Sequence, residues 1–483
     1  MSAPTSGRDR AAKLATVVKA YDVRGLVPEQ LDPVLLHALG CGLADLVAPH
    51  GQHGQHGQHA SGSAPAVVVG RDMRVSSPQL SAALADGIRS RGLDVVDVGL
   101  ASTDLLYFAS GSLDLPGAMV TASHNPAGWN GVKLCRSGAR PIGRDSGLDE
   151  VRDVAERVLT GDAVRSSGPI GGLVRRDLLD PYASHLLRLA PVPARPPDRS
   201  ALRVVVDAGN GMAGHTVPAV FAHLDVDLVP MYFELDGRFP HHEANPLDPS
   251  TLVDLQAQVR RQRADIGLAF DGDADRCFVV DERGDLVSPS AITSLIAVRE
   301  LAREPGALVL HNLICSRSVP EAIRAHGGVP VRTPVGHSGI KAQMATTGAV
   351  FGGEHSGHFY FRDFWSADSG LLAALHVLAA LSQGGQALSD LVGGLTPYAS
   401  SGELNSVVAD PVAAMARVEA AVVAEPGVSV DHLDGVTVEH EDWWFNVRPS
   451  GTEALLRLNV EAKDSAMMGS VRDRVLEIVR SAG

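Results

Sequence analysis

Cysteine is scarce in this sequence, and the four that occur, Cys41, Cys135, Cys277 and Cys315, stand far apart with no Cys-x-x-Cys pair. That scatter argues against a disulfide framework or a zinc site and predicts small, reduced core residues. No charged-then-apolar signal segment opens the chain. The most apolar helix-like run, around Gly370 to Leu381, is too short to span a bilayer and carries His376. A cytoplasmic location without membrane association is therefore expected. Positive charge is also outnumbered: the formal net charge is -14, which argues against broad capture of nucleic acid or of an anionic membrane. An anionic substrate would have to be met by basic groups concentrated locally.

What is present is a chain of 483 residues, too long for one hydrophobic core, with the composition of an ordinary soluble protein. The first ten residues are small, polar and charged, and disorder is expected there. Periodicity predicts a helix from Pro33 to Leu46. Gly51-Gln52-His53 then repeats three times up to His59, a tract without fixed geometry for metal binding that reads as a floppy insertion. Ala66 to Gly70 reads as a strand, Ser77 to Arg91 as a helix and Val95 to Val98 as a strand. The alternation continues with strands at Val204 to Val206, Asp265 to Phe270, Leu308 to Leu313 and Val329 to Arg332, and a helix from Thr216. Such βαβ repetition implies mostly parallel sheets covered by helices. Proline-rich breaks at Pro191 to Pro197 and Gly393 to Pro397 help to divide it. Strands are expected at Val407 and between Val436 and Val447, and a closing helix from Met467 to Ser481. The expected fold class is α/β: three similar α/β domains with mixed, mostly parallel sheets, at 1–176, 177–285 and 286–396, and a smaller C-terminal α+β domain at 397–483.

Four stretches carry chemistry. Thr121-Ala122-Ser123-His124-Asn125-Pro126 follows the strand-like Gly117 to Val120, and the proline disfavours a helical Asn125, so Ser123 sits on a turn just past a strand. Alone, this would read as a surface turn. Asp271-Gly272-Asp273-Ala274-Asp275-Arg276 lies between two apolar runs. Its three alternate carboxylates repel one another unless a cation sits among them, and their hard oxygens suit Mg²⁺ held together with a phosphate oxygen. A calcium EF-hand is rejected because Arg276 stands where the loop needs glycine and because the flanks read as strands. Arg276 itself offers a fork of donors for phosphate or for an aspartate. Gly353-Glu354-His355-Ser356-Gly357-His358 combines close backbone approach with groups that suit sugar hydroxyls, and no serine-hydrolase elbow surrounds Ser356, Ser338 or Ser123. Arg448-Pro449-Ser450-Gly451-Thr452-Glu453 offers a guanidinium, two hydroxyls and backbone N–H groups, a credible phosphate cradle that could also cap a helix.

With Lys19-Ala20-Tyr21-Asp22-Val23-Arg24-Gly25, these motifs resemble, in order and over nearly the whole chain, the α-D-phosphohexomutases, in particular their bacterial phosphomannomutase/phosphoglucomutase branch. The resemblance implies four domains around a central cleft, one signature loop from each. Ser123 would carry a phosphoryl group and hand it to a sugar monophosphate, giving a bound hexose 1,6-bisphosphate that turns over before the opposite phosphate returns to the serine. Mg²⁺ would be held by Ser123, Asp271, Asp273 and Asp275. Arg24, His124 and Lys133 would surround the reacting phosphate, with His124 or Lys133 shuttling the proton. Glu354 and Ser356 would grip sugar hydroxyls, Arg448, Ser450, Gly451 and Thr452 would clamp the other phosphate, and Arg276 and His337 would be further substrate-binding groups. The resemblance also implies that the C-terminal domain, after about Tyr398, moves to close on ligand, and that the chain is a monomer or weak dimer. The Gly-Gln-His tract has no counterpart, His355 occupies a variable place in the sugar loop, and the phosphate loop reads Arg-Pro-Ser-Gly-Thr rather than Arg-x-Ser-Asn-Thr.

The expected activity is interconversion of hexose 6-phosphate and hexose 1-phosphate, with mannose phosphate preferred. Phosphoglucomutase and phosphoglucosamine mutase activities are the alternatives, the latter because its sugar loop also reads Glu-x-Ser-Gly-His. A non-catalytic phosphosugar-binding protein on the same scaffold is the alternative of another class, disfavoured because serine and aspartates are intact, and a calcium-binding module ranks last.

Overall fold

A computed structural model describes residues 7–48, 65–162, 169–196, 199–450 and 455–481, without the side chains of residues 7, 8, 337 and 338. The Gly-Gln-His tract, Gly451 and Thr452 lie outside the described residues, as does the side chain of His337. The chain divides into two compact units, Met1–Leu286 with Ser356–Leu388, and Val287–His355 with Ser389–Gly483.

The first unit opens with a seven-stranded mixed sheet. Gly117–Val120, Ala66–Arg71, Asp94–Leu100 and Leu173–Arg175 run parallel, and Trp129–Arg136 is antiparallel to its neighbours Gly117–Val120 and Val23–Leu26. Strand alternation decides what each side chain buries. Val67 and Val69 join a core with Leu35, Leu39, Leu84, Ile88 and Val151 of the helices Pro33–Val47, Ser77–Arg89 and Leu148–Thr160, while the equally buried Val68 points to the other face. Pro33–Val47 begins where it does because Asp32 caps it, its carboxylate accepting the Leu35 N–H at 2.9 Å, with Pro33 at the first helical position.

A second sheet pairs Leu202–Asp207 in parallel with Val226–Met231 and Ile266–Phe270, the last antiparallel to Cys277–Asp281. The hairpin Phe359–Phe361 with Ala367–Asp368 and the buried helix Gly370–Gly384 complete the first unit. In the second unit, Leu308–Asn312 pairs in parallel with Val329–Thr333 and Phe351–Gly353. Five antiparallel strands, Ala399–Ser406, Leu456–Ala462, Trp443–Pro449, Val436–Glu439 and Ser429–Asp431, form the C-terminal sheet. Helices Pro411–Val422 and Ser465–Arg480 share its core through Val418, Val422, Val471 and Val475.

The architecture is therefore the expected α/β class, with two local differences. The strand expected at Val407 is displaced: pairing with Leu456–Ala462 stops at Ser406 and Val407 is exposed. Residues 7 to 10, expected to be disordered, open the helix Gly7–Val17, which is fixed because Leu14 and Val17 bury themselves in the first sheet's core. The four cysteines are buried thiols, and none is joined in a disulfide. No helix of the described residues is long and apolar enough to cross a membrane.

Candidate active site

Ser123 lies three residues beyond the strand Gly117–Val120, with its backbone in the left-handed region at φ +50°. An L-residue with a side chain occupies that region at a cost, so surrounding contacts must impose it. Its own N–H donates to Thr121 Oγ1 at 2.9 Å, and the Asn125 N–H donates to the Ala122 carbonyl at 3.0 Å. The larger constraint is Arg74. Its guanidinium is buried against Asp72, 3.2 Å away, and donates to four carbonyls of the loop: Ser123 at 2.7 Å, Asn125 at 2.6 Å, Pro126 at 2.8 Å and Trp129 at 3.0 Å. Arg24 reaches the same loop, donating to Asn125 Oδ1 at 2.5 Å and to Asp22 Oδ2 at 2.5 Å.

The serine hydroxyl thus meets the acidic loop, which leaves the C-terminal end of Ile266–Phe270, the end at which open α/β sheets bind ligands. Ser123 Oγ donates to Asp271 Oδ2 at 2.8 Å, and Arg276 Nε holds the same oxygen at 2.9 Å. Glycine is required at 272, because a Cβ there would stand 2.5 Å from the Ser123 carbonyl oxygen. Lys133, on Trp129–Arg136, donates to Asp273 Oδ2 at 2.7 Å and Asp275 Oδ2 at 2.5 Å, and Thr103 Oγ1 donates to Asp273 Oδ2 at 2.6 Å.

These charges are almost out of water, so each ionisation is decided by its neighbours. Burial raises Asp271 to about 7, with Arg276 opposing. Burial is the largest influence on Asp273 and Asp275 and pushes both upward, but Lys133, joined by Thr103 at Asp273 and by His358 and Arg276 at Asp275, holds both below the ordinary carboxylate value. Burial disfavours the Lys133 ammonium, yet Asp273 and Asp275 hold it well above the ordinary lysine value. Burial, then the charges of Arg276 and Arg24, keeps His124 neutral, with Nδ1 3.2 Å from Ser123 Oγ.

The three aspartates each offer an oxygen within 4.8 Å of the others, and buried Asp273 Oδ1 and Asp275 Oδ1 accept no hydrogen bond. All-oxygen donors with unused buried lone pairs fit a hard divalent cation such as Mg²⁺.

Beneath the loop lies a buried hub that its motifs do not announce. Asp104 accepts from Tyr182 at 2.7 Å, from Ser369 at 2.6 Å and from Ser102, tying three helices together next to Thr103. Burial raises its carboxyl to about 6, with Ser102, Ser369 and Tyr182 opposing. His358 closes the other side: its Nε2 lies 3.6 Å from Asp275 Oδ1 and 3.8 Å from Asp368 Oδ2, and its Nδ1 lies 3.1 Å from Ser356 Oγ. Ser123, His124, Lys133, Arg24, Arg276, Ser356 and the three aspartates therefore all belong to the first unit. Arg74, Thr103, Asp104 and His358 are the site groups that sequence reasoning left out. The one available signal was Asp72 and Arg74 standing directly after an apolar strand.

Glu354, Arg448 and Ser450 belong to the second unit. Glu354 is buried at the end of Phe351–Gly353, where Oε1 accepts the Gly336 N–H at 3.1 Å and lies 3.5 Å from Asn312 Nδ2. His355 turns inward, its Nδ1 3.0 Å from Ser290 Oγ, and burial lowers it to about 4, so it is a neutral packing group. Arg448 ends Trp443–Pro449 and donates to Glu403 Oε2 at 2.7 Å, while the Ser450 N–H donates to the Leu455 carbonyl at 2.9 Å.

The chain matches family models described as phosphoglucomutase/phosphomannomutase α/β/α domains I, II and III over residues 15–159, 180–284 and 288–398, and the C-terminal domain over 403–478. A phosphomannomutase of Salmonella montevideo is 38% identical over 475 residues, covering 96% of this chain and 99% of its own. A protein of Xanthomonas campestris named phosphohexose mutases is 38% identical over 468 residues, covering 96% and 98%. The crystal structure of a phosphoglucomutase/phosphomannomutase family protein from Burkholderia thailandensis superposes with a TM-score of 0.84 at 33% identity, covering 97% of this chain and 98% of that one. A serine hydroxyl set among buried carboxylates, on a chain related end to end to such enzymes, places this protein in the phosphoglucomutase/phosphomannomutase family of phosphohexomutases, isomerases that act on hexose phosphates.

Proposed function

We propose that the enzyme interconverts hexose 6-phosphate and hexose 1-phosphate, mannose phosphate foremost, through a phosphoserine at Ser123 and a hexose 1,6-bisphosphate intermediate. The observation that carries this reading is the Ser123 hydroxyl, held at an enforced φ of +50° and 2.8 Å from Asp271 within the carboxylate cluster. Each of the segments 1–176, 177–285, 286–396 and 397–483 contributes one loop to the reaction.

In the first half-reaction the hydroxyl oxygen of the sugar monophosphate bonds to the phosphorus on Ser123 and gives its proton to the neutral His124. The bond from phosphorus to Oγ breaks, and Oγ takes up a proton. In the second, the Ser123 hydroxyl attacks the other phosphate of the bisphosphate. Its proton passes to the neutral His124 Nδ1, 3.2 Å away, and the new sugar monophosphate leaves. Lys133, kept as an ammonium, donates to the leaving oxygen or neutralises the phosphoryl group, and Arg24 adds positive charge at the same place. Asp271, Asp273 and Asp275, with Ser123, would hold Mg²⁺, which supplies Lewis-acid neutralisation of phosphoryl oxygens. Glu354 and Ser356 take sugar hydroxyls, Arg276 and His337 further polar groups of the substrate, and Arg448, Ser450, Gly451 and Thr452 the phosphate that is not transferred.

A coupled assay on mannose, glucose and glucosamine 1-phosphates, with catalytic bisphosphate present, tests the reading. Mannose 1-phosphate should give the highest kcat/KM, and preference for glucosamine 1-phosphate would overturn the sugar assignment. Phosphosugar binding without turnover of any of the three would favour a non-catalytic binding protein instead.

A further inference from the structure

The loop that presents Ser123 folds its carbonyls inward. Those of Ser123, Asn125, Pro126 and Trp129 all converge on the Arg74 guanidinium. Converging carbonyl dipoles repel one another, so the backbone keeps this shape only around a positive charge. Arg74 supplies that charge from within the chain. Nη1 serves two of the carbonyls and Nη2 the other two, while Nε faces Asp72 at 3.2 Å. A guanidinium is a rigid planar fork, so it dictates where the four oxygens lie and with them the course of the loop.

The arginine is itself held on several sides. Its own N–H donates to Asp72 Oδ1 at 3.0 Å. Just past the loop, Asn130 Nδ2 donates to Ser76 Oγ at 2.8 Å and to Ser77 Oγ at 2.9 Å, strapping the far end of the loop to the same segment. A further cover comes from the second sheet. On the loop after Val226–Met231, Phe239 lays its ring over the guanidinium, with Cζ 5.1 Å from the ring centre. A desolvated guanidinium is attracted to such an aromatic face. Phe239 adopts φ +50°, a conformation that a bulky residue takes only when its surroundings impose it. Two residues earlier, a Cβ at Gly237 would stand 2.4 Å from Arg74 Cα, so glycine is what lets the two backbones touch.

We propose that Arg74 is a positioning residue for phosphoryl transfer and that Phe239 locks its guanidinium in place. The second sheet, which carries the acidic loop, thereby also sets the pose of the serine it faces. This rests on the reading of Ser123 as the phosphoryl carrier. Arg74 and Phe239 are 1% and 7% exposed, so they act through the serine loop and not on the substrate. What they govern is the line along which Ser123 Oγ meets phosphorus. In-line transfer is steep in geometry, and a misplacement of about 1 Å costs about a hundredfold in rate. Lysine at 74 would keep the charge facing Asp72, but a compact ammonium with three donors cannot serve four carbonyls.

The test compares R74K, F239L, F239Y and S123A for kcat, KM and the rise in Tm produced by Mg²⁺. R74K should lower kcat about a hundredfold and leave KM within about twofold of the wild type. F239L should lower kcat about tenfold at unchanged KM, and F239Y, which keeps the ring, should stay within about twofold of the wild type. The Mg²⁺-induced rise in Tm should be the same in R74K, F239L and F239Y as in the wild type, because the acidic loop is untouched. If R74K does not fold, the contrast between F239L and F239Y carries the test. Wild-type kcat in R74K, with S123A inactive, would overturn the proposal, and wild-type kcat in F239L would overturn the part given to Phe239. Losses of kcat matched by loss of the Mg²⁺ response would make both residues merely structural and overturn it as well. Wild-type turnover in S123A would instead overturn the phosphoserine reading beneath it.

Discussion

Two places in this enzyme hold like charges together, and in each a counter-ion from another strand bridges them. In the first unit, Lys133 bridges Asp273 and Asp275. In the second, Glu403 bridges Arg448 and Arg457. The difference is water. The aspartates are essentially inaccessible and Lys133 is 11% exposed, whereas Glu403 and Arg457 keep over a quarter of their side-chain surface in solvent. A buried counter-ion is indispensable because its loss strands charges that nothing else can screen, whereas an exposed one can be exchanged at small cost. The first arrangement is one that keeps its shape, as the proposed phosphoryl transfer at Ser123 would require.

Removing each counter-ion sharpens that contrast. Lys133→Met should lower stability by about 4 kcal/mol in metal-free buffer, the cost of leaving a buried pair half paired. Added Mg²⁺ should restore much of it, so the Mg²⁺-induced rise in Tm should be larger in K133M than in the wild type. Equal rises in the two would mean that lysine and metal do not share the carboxylates.

Asp104 gives the next largest effect, and it depends on pH. Its folded value of about 6 lies above the unfolded one, so the native state holds the proton more firmly. The resulting stability, on the order of 3 kcal/mol, is fully present below about pH 4 and is lost as pH rises through about 6. Chemical denaturation across that range should show the slope in the wild type and its loss in Asp104→Asn. An unchanged slope in the variant would assign the pH dependence to another group.

Gly272→Ala brings a methyl group against the Ser123 carbonyl, which Arg74 holds from another direction. The cost should be about 2 kcal/mol, from overpacking, and kcat should fall further than KM rises because the displaced atom belongs to Ser123, the proposed nucleophile. Wild-type kcat in this variant would show that the loop's position matters less than its contacts suggest. The smallest effect belongs to Glu403→Gln, whose stability should change by less than about 1 kcal/mol, as suits a partly exposed ion pair. A loss as large as that of K133M would erase the contrast between the two sites.

The parts of this molecule that were readable in the sequence are local ones. Ser123 after an apolar strand, three alternating aspartates between two others and Arg448 beside two hydroxyls each announce themselves within a few residues, because one strand and one turn are enough to present them. The partners that hold them come from far along the chain: Arg74 meets a loop about fifty residues away, and Ser369 meets Asp104 from another segment altogether. Nothing in the local pattern of either residue encodes that meeting. The strand Ala399–Ser406 was misplaced for a related reason. Its Ser-, Gly- and Glu-containing sequence has little strand propensity, and pairing with Leu456–Ala462 decides where it lies. Glu403, on that strand, was invisible in the same way.

The most direct measurement is the intact mass of the protein after incubation with hexose 1,6-bisphosphate, followed by peptide mapping. The account predicts a gain of one phosphoryl group, located on Ser123 and absent from Ser123→Ala, together with loss of mutase turnover in that variant. A phosphoryl group on any other residue, or a Ser123→Ala enzyme that still interconverts hexose 1- and 6-phosphates at the wild-type rate, would contradict it.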